Sequence, residues 1–148
     1  MKMAIVYSSV TGNTEELAEL LRSRFTSIAS DIFYCRVNDF QMEEISRLDG
    51  LIIGTYTWGD GEIPIEMLPL VQELSRTKRR QLVTGIFGTG DSFYPKYCGA
   101  VDNISTILNQ TTNLADTLKI ELSPQMEDLA FCDKFVERIL RTMSIMVS

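Results

Sequence analysis

The sequence predicts an α/β fold: a three-layer sandwich in which a five-stranded, mostly parallel sheet carries helices on both faces. Two observations predict it. Short apolar runs alternate five times with stretches of helical periodicity, the pattern of parallel strands joined by helical crossovers. No repeat, low-complexity tract or linker interrupts that alternation, so residues 1–148 are expected to form one domain. Right-handed crossovers then restrict the order in which the strands can lie.

Residues 3–7, MAIVY, form a continuous apolar run suited to a strand buried on both faces. The lysine before it has the look of an export signal, but about five apolar residues without a small-residue cleavage pattern favour a first strand. In EELAELLRSRFTSIA (15–29), Leu17, Leu20, Leu21 and Phe25 recur at helical spacing behind two acids that suit a helix start. A second strand is expected at 31–37, DIFYCRV, and a short helix or turn at 38–48. GLIIGTY, 50–56, is the clearest strand, being short, apolar and β-branched. A helix should follow over 64–75; Pro64 suits its first turn, while Pro69 either bends it or delays its start. QLVTGIFG (81–88) reads as the fourth strand and CGAVDNISTILNQT (98–111) as a helix with Val101, Ile104, Ile107 and Leu108 on its apolar side. LADTLKIEL (114–122) alternates, which marks a more exposed fifth strand. From Pro124 to Met143 the last helix carries a stripe of Leu129, Phe135, Val136, Ile139, Leu140 and Met143. The basic run RTKRRQ, 76–81, reads as a solvated helix end.

Composition narrows the function. The chain is 45% apolar, which suits a globular protein, and no apolar run approaches a membrane span. It has no histidine and three separated cysteines, Cys35, Cys98 and Cys132. That favours a reducing cytoplasm and weighs against zinc, histidine-ligated haem and Ser-His or Cys-His nucleophiles. Twenty acids against 14 bases leave a charge of −6, which disfavours nucleic acid and anionic membranes and favours partners with a basic face.

In folds of this class ligands bind beyond the carboxyl ends of the strands. Three loops leave those ends. The first, SSVTGNT (8–14), sets Ser9, Thr11, Asn13 and Thr14 around Gly12 just before a helix. A capped helix start would use some of these groups, and a phosphate would use them all. There is no Walker lysine and no GxGxxG, which argues against nucleotide hydrolysis and a dinucleotide site. The loop holds no cation, so a phosphate there would keep its charge locally unneutralised. The second loop, TYTWGDGEIP (55–64), places Trp58 among glycines and acids. The third, GTGDSFYPKYCGAVD (88–102), clusters Phe93, Tyr94 and Tyr97 beside Asp91, either as a small surface core or as a slot for a flat ring. Combined, the loops describe a mononucleotide whose ring lies between Trp58 and a tyrosine. Trp58 is then a covered wall, and the absence of acid-base machinery makes the nucleotide itself the chemistry.

With SVTGNT (9–14), TWGDG (57–61) and GTGDSFY followed by YCGAVD in order after the expected strands, the chain resembles the short-chain flavodoxins over essentially its whole length. The resemblance implies the strand order 2-1-3-4-5 and FMN as cofactor. It implies that Ser9, Val10, Thr11, Gly12, Asn13 and Thr14 surround the phosphate. Thr55, Tyr56, Thr57, Trp58 and Gly59 would line the inner side of the ring and the ribityl chain. Thr89, Gly90, Asp91, Tyr94, Tyr97 and Cys98 would complete the pocket, with Tyr94 the outer stacking ring. Position 10 departs from the pattern: Val10 stands where many relatives have threonine, losing a hydroxyl but keeping the N–H. The insertion in the fifth strand that marks long-chain relatives is absent.

The activity implied is electron transport without catalysis: a low-potential, one-electron shuttle between the neutral semiquinone and the anionic hydroquinone. Its partners would be a reductase and acceptor enzymes docking transiently on a monomer. Gly59 can turn its peptide cheaply to accept a proton at the ring edge, so Gly59→Ala should weaken the semiquinone. Asp60, Glu62, Glu66 and Asp91 would oppose a second negative charge. Cys98 reads as a small buried packer. Other readings fit less well. A flavoprotein that serves a ribonucleotide reductase usually has different ring loops, a receiver domain needs paired acids after the first strand, and a quinone reductase needs a second substrate region.

Overall fold

The computed structural model describes residues 1–28 and 31–147. Five strands, β1 (Met3–Tyr7), β2 (Ile32–Arg36), β3 (Gly50–Thr55), β4 (Val83–Gly90) and β5 (Asn113–Glu121), form one parallel sheet in the order β2-β1-β3-β4-β5. The register runs from Met3 opposite Ile32 on one side and Gly50 on the other, through Gly50 opposite Val83, to Val83 opposite Asn113. Four helices cover it: α1 (Asn13–Thr26), α2 (Leu68–Thr77), α3 (Gly99–Thr111) and α4 (Leu129–Val147).

The alternation of side chains along each strand builds two cores. On one face Ile5, Ile52 and Phe87 meet Leu21 and Phe25 of α1 and Phe135 and Ile139 of α4. On the other, Val6, Leu51, Ile53 and Ile86 meet Leu70 and Leu74 of α2 and Ile104 and Leu108 of α3. Each central strand is therefore buried on both sides, which is why it reads as an unbroken apolar run.

The elements differ from expectation mainly at their ends. α1 begins at Asn13, inside what reads as a loop, because Gly12 adopts a left-handed conformation (φ +97°) and turns the chain into the helix at that point. The helix ends at Thr26, with Ser27 and Ile28 in a turn, and of its expected extension Ala29 lies outside the described residues. The segment 38–48 resolves into two 3-10 helices, Val37–Asp39 and Met42–Arg47. Pro69 delays its helix: a 3-10 turn at Ile65–Met67 comes first, and the proline sits in the opening turn of α2, where its missing N–H costs nothing. A further 3-10 turn, Met126–Asp128, precedes α4. β5 alternates only in its second half, since the register slips between Thr84 and Gly85 and leaves the first half partly buried throughout. The basic run closes α2, with Lys78 left-handed and Arg79 donating to the Ile45 carbonyl.

Candidate functional site

β1 and β3 are neighbours and β4 lies next to β3, so the loops that leave their carboxyl ends stand side by side. They enclose a cavity of about 430 Å³, within the range of small-molecule sites. Every part of it is set by backbone geometry and a few inter-loop bonds.

The first loop contributes Val10, Thr11 and Asn13 to the lining. A Cβ at left-handed Gly12 would meet only open space, so the main chain can be approached closely there. The N–H groups of Asn13 and Thr14 open α1 and have no carbonyl one turn back to bond, and the positive end of the helix dipole points the same way. Ser9, Gly12 and Thr14 stand beside the cavity rather than on its wall. The Ser9 Oγ accepts the Glu15 N–H at 3.2 Å. Thr14 is buried, and its hydroxyl shares a 2.7 Å hydrogen bond with that of Thr89, which ties α1 to β4.

The middle loop supplies Tyr56, Thr57, Trp58, Gly59 and Asp60. Trp58 and Glu62 exchange backbone hydrogen bonds of 2.9 and 2.7 Å, pinching the chain into a tight turn with Gly59 at φ +52°. Helix α3 holds this turn from behind: the Ala100 N–H donates to Thr57 Oγ1 at 3.2 Å and the Asn103 amide to the Gly61 carbonyl at 2.8 Å. Thr55 is fully buried at the end of β3, its hydroxyl bonded to the Tyr56 carbonyl at 2.7 Å, and so lies behind the wall. Trp58 itself is 55% exposed. Its backbone is pinned, but its ring stands at the cavity mouth with no core residue packed over it.

The end of β4 contributes Thr89 and Gly90, and the third loop contributes Asp91, Tyr94, Pro95, Lys96 and Cys98. Asp91 organises it, accepting the Phe93 N–H on Oδ1 at 3.0 Å and the Tyr94 N–H on its carbonyl at 3.1 Å. Glu121 accepts the Ser92 N–H at 3.1 Å and its hydroxyl as well. Of the three clustered aromatics, Tyr94 faces the cavity, Phe93 is almost wholly in solvent, and Tyr97 packs against the core and lines a neighbouring groove with Glu62, Asp102 and Lys119. Cys98 is buried, and burial pushes its thiol up to about 11. The wall also includes Leu122, which sequence reasoning missed. It follows β5 with φ +55° and donates its N–H to the Gly90 carbonyl at 2.8 Å. Nothing local marks it, because only the pairing of β4 with β5 brings it to the site.

Two carboxylates brace the first loop from opposite sides. Glu66 accepts the Ser8 hydroxyl at 2.5 Å and the Tyr56 hydroxyl at 2.8 Å, joining the first loop to the second. Burial pushes its carboxyl up, but the hydrogen bonds outweigh this and hold it below the usual range. Tyr56 is pushed up to about 12 by burial and by that same carboxylate. Glu66 is thus a strut between loops, where the sequence suggests one more acid on the rim. On the outer side Glu15 is held below its usual range by the Tyr7 hydroxyl and by Arg36. Arg36, which comes from β2, reaches the outer side of this loop and is paired there with Glu15.

Trp58 and Tyr94 line the cavity from the second and third loops, and Val10, Thr11 and Asn13 line it from the first loop and the start of α1. Among the described residues no group of three or more metal-ligating side chains is gathered, and no helix is long and apolar enough to cross a membrane.

Comparison with known proteins bears on the same features. The Flavodoxin family profile matches residues 5–132. Probable flavodoxin 1 of Bacillus subtilis (strain 168) is 37% identical over 143 residues, covering 94% of this chain and 90% of that one. A flavodoxin of Maridesulfovibrio salexigens is 33% identical over 133 residues, covering 86% and 91%. The solved structure of a Streptococcus pneumonia TIGR4 flavodoxin superposes with a TM-score of 0.89 at 29% identity, covering 95% of this chain and 99% of that one.

Proposed function

Because the chain belongs to the flavodoxin family, we propose that it is a low-potential carrier that moves one electron at a time between a reductase and acceptor enzymes. Members of this family carry electrons on bound FMN and are not enzymes, and that much holds for this chain. FMN, when bound, supplies the redox chemistry, and the protein supplies position, hydrogen bonds and charge.

The observation that carries the reading is the convergence of three strand-end loops on one cavity whose lining includes both aromatic side chains and residues of a helix start. Val10, Thr11, Asn13 and Thr14 would hold the phosphate with main-chain N–H groups and hydroxyls, with Gly12 allowing close approach and Ser9 fixing the loop. Trp58 and Tyr94 would cover the two faces of the ring. Thr57, Thr89, Gly90 and Asp91 would offer polar groups to its edge and chain, while Thr55, Tyr97 and Cys98 support the wall from behind. The bonds that pin the middle turn run between Trp58 and Glu62 and leave the Gly59 carbonyl unused among the described residues. That carbonyl is free to turn inwards and accept a ring N–H. Asp60 and Asp91 on the lining raise the cost of a further negative charge, which favours a strongly reducing carrier.

The mouth also suits brief encounters. Val10, Trp58, Tyr94 and Leu122 leave apolar surface exposed there, among acids that would meet a basic face. Residues 1–148 would act as one monomeric unit, and three free cysteines, two of them buried, fit a reducing cytoplasm. The test uses Trp58, the single tryptophan in the chain. Titration of apoprotein with FMN should quench its fluorescence at one equivalent and give a yellow protein that is reduced in two separate one-electron steps. A colourless protein whose fluorescence ignores FMN would overturn the reading.

A further inference from the structure

Glu15 places a carboxylate in the first turn of α1, where the loop meets the helix. An anion drawn to the N–H groups of that turn meets this charge at close range. The structure surrounds Glu15 with donors. Its Oε2 accepts the Tyr7 hydroxyl at 2.7 Å and the Arg36 Nη2 at 2.9 Å. The second arm of the same guanidinium, Nη1, donates to the Ser9 carbonyl at 3.2 Å, and Ser9 Oγ accepts the Glu15 N–H at 3.2 Å. Arg36, Ser9 and Glu15 thus close a ring of hydrogen bonds on the outer side of the loop. The guanidinium carbon also lies 5.3 Å from the centre of the buried Tyr7 ring, so the cation is seated on an aromatic face and not swinging free.

Because this arrangement joins the end of β2 to the loop, it exists only where β1 and β2 are paired. It leaves Arg36 off the cavity lining, bonded to the loop and to Glu15. Resting on the FMN reading above, we propose that Arg36 is a positioning residue for the phosphate end of the site, acting by cancelling the charge of Glu15. Without it, the first turn of α1 presents a carboxylate to a dianion, and part of the attraction of the helix start is lost. With it, the loop offers its N–H groups against a locally neutral background. The outward-turned Ser9 carbonyl, held by the same guanidinium, keeps its negative end away from the anion.

A cation that merely decorates the surface would contribute little either way, so the experiment must read charge and not only fold. Apoprotein of the wild type, Arg36→Gln, Arg36→Lys, Glu15→Gln and the double variant Arg36→Gln/Glu15→Gln is titrated with FMN and with riboflavin, which shares the ring and lacks the phosphate. Each titration follows Trp58 fluorescence at low and high salt, with circular dichroism as the check on folding. Arg36→Gln should weaken FMN binding about tenfold, a loss that comes from like-charge repulsion and shrinks at high salt, and leave riboflavin unchanged. Arg36→Lys should recover most of the loss. Glu15→Gln added to Arg36→Gln should restore FMN affinity, because the charge that needed cancelling is gone. FMN affinity unchanged in Arg36→Gln, an equal loss for riboflavin, or no rescue by Glu15→Gln would each overturn the proposal while the cofactor reading stands. Wild-type apoprotein that binds no FMN would overturn both.

Discussion

Gly59 sits at φ +52°, and a Cβ added there would meet nothing closer than the Glu62 carboxyl at 3.8 Å. Room is therefore not what limits this position. The cost of a side chain is conformational, about 1–2 kcal/mol for an L-residue in the left-handed region, and it falls on the peptide whose carbonyl must turn. Gly59→Ala should leave the fold intact and bias the peptide toward one orientation. The first reduction then becomes harder, its midpoint falling by roughly 60 mV, one power of ten for a one-electron couple. A spectroelectrochemical titration reads both midpoints; two unmoved potentials would show that the turn of Gly59 does not matter. At this scale the sequence is legible where a residue acts through its own backbone, as Gly12 and Gly59 do. It is silent on Arg36 and Leu122 and on the bracing bonds of Glu66, which depend on partners tens of residues away: Arg36 reaches Glu15 across 21 positions and Glu66 reaches Ser8 across 58.

The elements follow the sequence closely because each central strand is buried on both faces, so its composition alone marks it. Helix ends are harder to read, since they answer to one or two residues in special conformations. Gly12 starts α1 earlier than the apolar spacing suggests, and Pro69 is accommodated in the first turn of α2. The exposed edge is the other weak point, because β5 slips register against β4 and its alternation fades over half its length. Helix α4 shows what the central strands ask of their cover. Phe135 is fully buried and meets Phe87 of β4 edge to face, with ring centres 6.3 Å apart, while Ile139 fills the space above Gly85. Truncating Phe135 to alanine removes that contact and leaves a cavity between helix and sheet. Phe135→Ala should destabilise the protein by roughly 3–5 kcal/mol. Urea unfolding of the apoprotein measures it, and a loss below about 1 kcal/mol would mean that α4 closes over the gap. The variant should also keep its flavin site in the folded fraction, since Phe135 lies in the core below the cavity and not on its wall.

For the whole molecule the relevant quantity is the net charge of −6 and where its acids stand. Asp60 and Asp91 line the cavity, and Glu62 and Asp102 line the groove beside it. Two lysines lie among them, Lys96 at 3.6 Å from Asp60 and Lys119 at 2.8 Å from Asp102, so the field near the mouth is weaker than a count of acids suggests. These pairs are exposed and contribute little to stability; their effect is on the field a partner meets on approach. A carrier that must leave as readily as it arrives gains from long-range attraction, which speeds encounter without deepening the final complex. The association rate with a redox partner that presents a basic face should fall steeply between low and physiological ionic strength, as the Debye length shrinks from ~30 Å at 0.01 M to ~8 Å at 0.15 M. Lys96→Gln, which unmasks Asp60, should raise the rate at low salt and lose that advantage at high salt, with little change in the unfolding midpoint. Stopped-flow electron transfer across an ionic-strength series separates these outcomes. Rates that are flat in salt for both proteins would mean that apolar contacts around Trp58, Tyr94 and Leu122 govern encounter, and that the acids by the mouth serve only to set the potential.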